Sequence, residues 1–276
     1  MTTLLPEVRH LNFDFDEVIE RRLTNCSKWD RVNELFGSAD VLPMWVADMD
    51  FAAPPVALEA LQKRIQHSIL GYVSPPDRFF QSVIDWSAKR HHYLFPKEAL
   101  DASPGVVPSL GMLVRALTNP GETVIIQPPV YPPFTQVVLQ NDRKLVTNPL
   151  VFRSGHYEMD LEDFERKVQA HDVHLLILCS PHNPVGRVWT TQELTALGDI
   201  CKRHGVQVIA DEIHADLILP GHTHTPFAAL SDFASFTATC VAPSKTFNIA
   251  GLQTSFTITE DENMRERFRQ ELARTG

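Results

Sequence analysis

A lysine follows an apolar run. Phe236-Thr237-Ala238-Thr239-Cys240-Val241 leads through Ala242-Pro243-Ser244 to Lys245, and Thr246-Phe247-Asn248-Ile249-Ala250-Gly251 follows. The small residues around Lys245 leave room for a flat ligand. Burial disfavours an ammonium, so a lysine in such a place can shed its proton and condense with an aldehyde as a Schiff base. Ser-Lys-Thr alone says little, because most lysines are solvated surface groups. The weight comes from three upstream apolar runs that also end on polar residues. Residues 123–126 precede Tyr131. Residues 175–179 precede Ser180-Pro181-His182-Asn183-Pro184-Val185-Gly186. Residues 206–210 precede Asp211-Glu212-Ile213-His214.

These runs need a scaffold that delivers their ends to one place. The pattern predicts helices over 54–66, 77–90 (with Asp77 as the cap), 110–117, 135–140, 160–170, 190–205 and 264–273. Thr190 with Glu193 forms a capping box, and Gly205 ends that helix. The predicted strands are 123–126, 144–147, 175–179, 206–210 and 236–241. Strands alternating with helices imply right-handed crossovers and a mostly parallel sheet covered on both faces, an α/β fold of three layers. Ligands of such sheets bind beyond the carboxyl ends of the strands.

The polar residues at that edge suit pyridoxal phosphate. Lys245 serves its aldehyde. A buried carboxylate such as Asp211 keeps the ring nitrogen protonated. Asn183 can donate to the ring oxygen, and Tyr131 can stack on the ring face. Gly105-Val106-Val107 precedes a helix, where N–H groups and the dipole can hold a phosphate. Plainer roles exist. Asp211 could cap a loop, Asn183-Pro184 could be a turn, Gly105 could serve a turn alone, and His91-His92 reads as a solvated helix end. A metal site from His214, His222 and His224 with Asp211 or Glu212 is not expected, because Gly221-His222-Thr223-His224 reads as an exposed loop.

Composition bounds the rest. The chain has 276 residues, with 43% hydrophobic and 21% charged, as in an ordinary globular protein. The net charge of −9 and the lack of a basic run speak against nucleic acid. No apolar run approaches a membrane span, and the start of the chain lacks an apolar signal core. Cys26, Cys179, Cys201 and Cys240 show no CxxC spacing, so a reduced, cytoplasmic protein is expected.

Ser-Pro-His-Asn-Pro-Val-Gly, Asp-Glu-Ile-His-Ala-Asp-Leu and Ser-Lys-Thr-Phe-Asn-Ile-Ala-Gly-Leu resemble the fold-type I pyridoxal phosphate enzymes of the class I/II aminotransferase superfamily. Met44-Trp45-Val46-Ala47-Asp48-Met49-Asp50-Phe51, Ser103-Pro104-Gly105-Val106-Val107 and Pro128-Pro129-Val130-Tyr131 resemble, more narrowly, the MalY/PatB-type cystathionine β-lyases. The resemblance runs from about residue 12 to 276. It implies that Lys245 carries the cofactor, Asp211 pairs with the ring nitrogen, Asn183 bonds the ring oxygen and Tyr131 stacks. It also implies that Tyr72 reaches the phosphate held by a second copy, hence a homodimer. Ala242 and Gln253 replace a serine and an arginine that bind phosphate in many relatives. That departure places more weight on Gly105–Val107 and on Ser244. His214 stands where many aminotransferases carry a tyrosine, which favours the lyase branch.

The expected activity is carbon–sulfur β-elimination on cystathionine or a cysteine S-conjugate, giving pyruvate, ammonia and a thiol. An aminotransferase is the alternative enzyme, and a silent or regulatory remnant the alternative without catalysis. The expected organisation is an N-terminal segment, 1–50, with part of the substrate-access region, followed by a cofactor-binding large domain, 51–276. Relatives continue into a smaller C-terminal domain that carries an arginine for the substrate carboxylate. No residue here matches that arginine. The chain is therefore expected to be truncated, with weaker cofactor binding and little turnover.

Overall fold

The computed structural model describes residues 14–275; residues 1–13 and Gly276 lie outside it, including the start of the 1–50 segment and of the family resemblance. The chain falls into two compact units, Met1–Val73 with Phe247–Ala250, and Ser74–Thr246 with Gly251–Gly276.

The first unit carries the short helices α1 (Ser27–Asp30) and α2 (Val32–Phe36) and the longer α3 (Pro55–Gln66). Residues 41–51 form neither helix nor strand. Their acids serve structure. Asp50 accepts from Lys28 Nζ at 2.7 Å and Trp29 Nε1 at 2.8 Å, and Arg21 pairs with both Asp48 and Asp50. Burial opposes ionisation of Asp50, but these donors outweigh it and hold its carboxyl at about 2. Asn248 closes the same segment. Its side chain accepts from the Met49 N–H at 2.9 Å and donates to the carbonyls of Met49 and Phe51. α3 has no buried residue: Val56, Leu58, Leu61 and Ile65 are all exposed.

The second unit is the sheet. α4 (Asp77–His91) precedes β1 (Leu100–Ser103), α5 (Val106–Leu117), β2 (Thr123–Ile126), α6 (Pro133–Leu139) and β3 (Lys144–Thr147). A hairpin of β4 (Val151–Arg153) and β5 (His156–Glu158) follows, then α7 (Leu161–His171), β6 (Val173–Cys179), α8 (Thr191–His204) and β7 (Gln207–Asp211). β8 (Thr237–Val241), the single turn α9 (Pro243–Thr246), β9 (Ser255–Thr259) and α10 (Glu262–Ala273) complete it. The strand order is β1-β9-β8-β7-β6-β2-β3. β9 runs antiparallel to β1 and β8, and the other pairings are parallel.

Both faces are covered because the central strands are apolar on both sides. Leu175 and Ile177 of β6 pack with α5, α6 and α10, while Leu176 and Leu178 pack with α7 and α8. Each such fully buried Leu or Ile contributes roughly 1.5–3 kcal/mol. The capping box at Thr190 and Glu193 is present, Asp160 caps α7 through the Asp163 N–H, and Gly205 ends α8 in the left-handed region. Phe268 and Leu272, spaced for one face of α10, both meet the core, Phe268 buried and Leu272 partly buried, and Met264 is buried with them.

Some expectations differ. α5 begins at Val106, not residue 110, because the left-handed Gly105 (φ 130°) breaks the chain directly before it. Asp77 is the first residue of α4 and caps nothing: its carboxylate accepts from Lys97 Nζ at 2.6 Å. β1, β9 and the β4–β5 hairpin were not expected; β4 and β5 are three residues each, and β1 and β9 mix polar with apolar residues.

Candidate functional site

The carboxyl ends of β1, β2, β6, β7 and β8 and the start of β9 lie on one edge, because Ser103 pairs with Ser255, Val241 with Phe256, and Asp211 with both Cys179 and Cys240. That edge collects Tyr131, Asn183, Asp211, His214, Ser244 and Lys245, each at or shortly after the end of a strand.

Asp211 ends β7 and is buried. Its Oδ1 accepts from the Ile213 N–H at 3.1 Å. Desolvation pushes its carboxyl up to about 7; the Ile213 bond and the charge of Lys245 pull against this, and Glu212 adds to it. Strand parity sends Asp211 to the α5 side with Ile209, next to the Cys179 and Cys240 thiols, which burial keeps protonated. Glu212, one residue on, goes the other way. Its Oε1 accepts from the Phe227 N–H at 2.8 Å and its Oε2 faces His224 Nε2 at 3.0 Å. Adjacent acids thus take separate roles, one facing the edge and one buried behind it.

Lys245 sits in α9, directly beyond β8. Its charge acts on Asp211 and on His214, so the three lie within electrostatic reach. Burial first, and Lys245 second, lower the His214 pKa, which favours a neutral imidazole. Tyr131 is 36% exposed, stands edge-on to Phe134 at 6.3 Å, and feels the charge of Asp211.

Asn183 lies in the turn after β6, where its N–H donates to Cys179 Sγ at 3.4 Å. The turn is pinned on both sides: the His182 and Gly186 N–H groups bond within it, and His182 Nε2 meets the Pro129 carbonyl at 3.0 Å. Burial lowers the His182 pKa to about 4, so its neutral ring donates that bond.

The β1–α5 corner has its own hydroxyl cluster. Ser103 Oγ bonds Ser109 Oγ at 2.6 Å and Ser255 Oγ at 2.7 Å, and the Gly105 N–H donates to Ser255 Oγ at 3.0 Å. Gly105 thus spends its donor on the corner itself, and the Val106 and Val107 N–H groups follow in the first turn of α5. Ser244 is half-buried beside Lys245. Tyr72 belongs to the first unit and is fully exposed.

Two expectations need correction. His224 is not on an exposed loop: it is buried against Glu212. His91 is not a solvated helix end: its ring bonds Asp216 Oδ1 at 2.9 Å. Asp216 and Thr246 were given no role from sequence, although both lie inside the quoted motifs. Nothing in their residue types signals that they meet.

The donor set fits pyridoxal phosphate. A buried acid with a raised pKa calls for a cation, a lysine stands within reach of it, an aromatic ring borders it, and a helix start faces the same edge. The comparisons agree. The model of the aminotransferase class I and II family matches residues 39–274. Cystathionine β-lyase PatB of Bacillus subtilis is 50% identical over 264 residues, covering 95% of this chain and 68% of the relative. The crystal structure of cystalysin from Treponema denticola, which contains a pyridoxal 5'-phosphate cofactor, superposes with a TM-score of 0.91 at 37% identity, covering 96% of this chain and 68% of that one. The pyridoxal phosphate-bound C–S lyase of Staphylococcus hominis gives 0.88 at 36% identity, covering 95% and 66%. The chain thus spans about two thirds of the length of these relatives. With the sheet order, the polar edge and the sequence likeness in accord, the chain belongs to the aminotransferase class I and II family.

Proposed function

We propose that this chain is the cofactor-binding part of a pyridoxal phosphate-dependent carbon–sulfur β-lyase acting on cystathionine or a cysteine S-conjugate. The observation that carries the reading is a buried Asp211 with a carboxyl near 7, within electrostatic reach of Lys245 at the sheet edge. The 50% identity to a cystathionine β-lyase supports the lyase branch.

When bound, pyridoxal phosphate supplies an aldehyde for the lysine and a sink for electrons left at a substrate Cα. Lys245 Nζ would hold it and, as a free amine, would take the substrate Cα proton as general base. Asp211 would hold the proton on the ring nitrogen, since a charge facing it stabilises its carboxylate form. Asn183 would donate to the ring oxygen. Tyr131 would stack on the ring, and a neutral His214 would stand beside the lysine. Ser244 and the N–H groups of Gly105, Val106 and Val107 are the candidates for the phosphate, with Val106 and Val107 favoured because Gly105 already donates to Ser255.

The exposed apolar side chains of α3 and the exposed Tyr72 support a homodimer, in which Tyr72 would reach the phosphate of the second copy. Four free cysteines among the described residues support a reducing, cytoplasmic setting. Residues 1–50 would then serve substrate access and 51–276 the cofactor.

The test is product partition. The purified chain with pyridoxal phosphate and L-cystathionine should yield pyruvate and thiol in equal amounts, however slowly. Amino-group transfer to an added keto acid without thiol would make it an aminotransferase. A bound cofactor with neither product would make it a silent remnant.

A further inference from the structure

Asp216 collects more donors than a loop acid needs. His91 Nε2 lies 2.9 Å from its Oδ1, Trp86 Nε1 lies 3.1 Å from both oxygens, and Thr246 Oγ1 donates to Oδ2 at 2.7 Å. Arg90 Nε stands 3.8 Å away. Burial opposes its ionisation, and the bonds from His91, Thr246 and Trp86 outweigh that and hold it below the usual carboxylate range. The arrangement continues: the His91 ring meets the edge of His224 at 5.5 Å, and His224 pairs with Glu212. A contiguous set of polar groups therefore runs from the residue after Asp211 to the residue after Lys245.

The turn that bears Lys245 is weakly fixed by packing. α9 has four residues and none is buried. Core burial contributes little there, so side-chain hydrogen bonds gain weight in setting where the turn sits. Asp216 rides on the same loop as Asp211 and His214, which closes on itself through Ala215 N–H to Glu212 O and Leu217 N–H to His214 O.

We propose that Asp216 is a positioning residue for Lys245: by holding the Thr246 hydroxyl, it fixes the lysine turn in register with the loop that carries Asp211 and His214. Trp86, His91 and Arg90, all from α4, hold Asp216 from behind, while Asp211 and His214 face Lys245. Its catalytic consequence rests on Lys245 being the cofactor lysine; the placement of the lysine does not.

The test reads the lysine without cofactor. The cofactor-free chain is pulsed with acetic anhydride across a pH series, and peptide mass spectrometry follows Lys245, with exposed Lys144 as reference. Thr246→Val should change the Lys245 labelling rate about threefold, equivalent to roughly half a unit in its pKa. Lys144 labelling should stay constant, and Thr246→Ser should restore Lys245. Asp216→Asn keeps the shape and should act in the same direction, which covers the case of a poorly folding valine variant. Lys245 labelling unchanged in both Thr246→Val and Asp216→Asn, or a valine effect that serine does not restore, would overturn the proposal. With pyridoxal phosphate added, the pH midpoint of the visible band should move in Thr246→Val and return in Thr246→Ser. If the unsubstituted chain gains no visible band, the reading of Lys245 as the cofactor lysine fails, and the labelling result still decides the role of Asp216.

Discussion

Cys179 and Asp211 are register partners at the carboxyl ends of adjacent parallel strands. Neither neutralises the other. Burial keeps the Cys179 thiol protonated, and the Asp211 charge raises its pKa further, so the carboxyl has no cationic partner on β6. The acid is held where its charge is costly. A protein retains such a group where a ligand supplies the missing charge.

That cost has a sign. The Asp211 pKa is near 7 in the folded chain and near 3.8 when unfolded. Between these values the native state binds more protons, so the group lowers stability as pH rises from about 4 to about 7. Asp211→Asn should therefore stabilise the cofactor-free chain at pH 8 by on the order of 2–4 kcal/mol, with little gain at pH 4. Urea unfolding at both pH values measures it, and equal effects at both would show that Asp211 is not shifted.

Lys245→Ala should abolish the visible absorbance that pyridoxal phosphate gives with the unsubstituted chain. Borohydride reduction followed by peptide mapping should place the adduct on Lys245. An adduct on any other lysine would reassign the site.

The role proposed for Tyr131 is to offer a ring face, and for that its hydroxyl is not needed. Tyr131→Phe should keep cofactor affinity within about twofold, whereas Tyr131→Ala should lose about 1–2 kcal/mol, roughly 5- to 30-fold. Fluorescence titration with pyridoxal phosphate separates the two. Equal losses would make the hydroxyl the working group.

Gly198 of α8 lies against Phe233, where an added Cβ would sit 2.1 Å from the ring. Phe233 is fully buried and stacks on Phe227 at 5.1 Å, so it has little room to yield. Gly198→Ala should cost about 1–3 kcal/mol despite the better helix propensity of alanine. A melting temperature at or above that of the unsubstituted chain would mean that the ring moves.

The sequence by itself determined the frame and which polar residues stand at its edge. Strand-length apolar runs separated by capped helices permit few arrangements, because helical crossovers keep the strands parallel, and parallel strands bring their carboxyl ends to the same side. The placement of Lys245, Asp211, Asn183 and Tyr131 at that edge was therefore legible: each stands at the end of its strand or within five residues of it, so position along the chain fixes position in space. The cap residues Asp160, Thr190 and Gly205 were legible for a similar reason, since a cap acts within a turn of itself. Contacts across large sequence separations were decided only by the tertiary structure. His91 and Asp216 are 125 residues apart, and Asp216 and Thr246 are 30 apart. No periodicity links them, and each alone reads as a surface group. The same holds for Ser255, whose hydroxyl takes the Gly105 N–H across 150 residues of chain, and for His224, whose loop looks exposed until Glu212 turns away from Asp211 to meet it. Local rules govern groups a few bonds apart. Which distant side chains share a buried polar cluster depends on how the layers close over one another, and that is settled by packing.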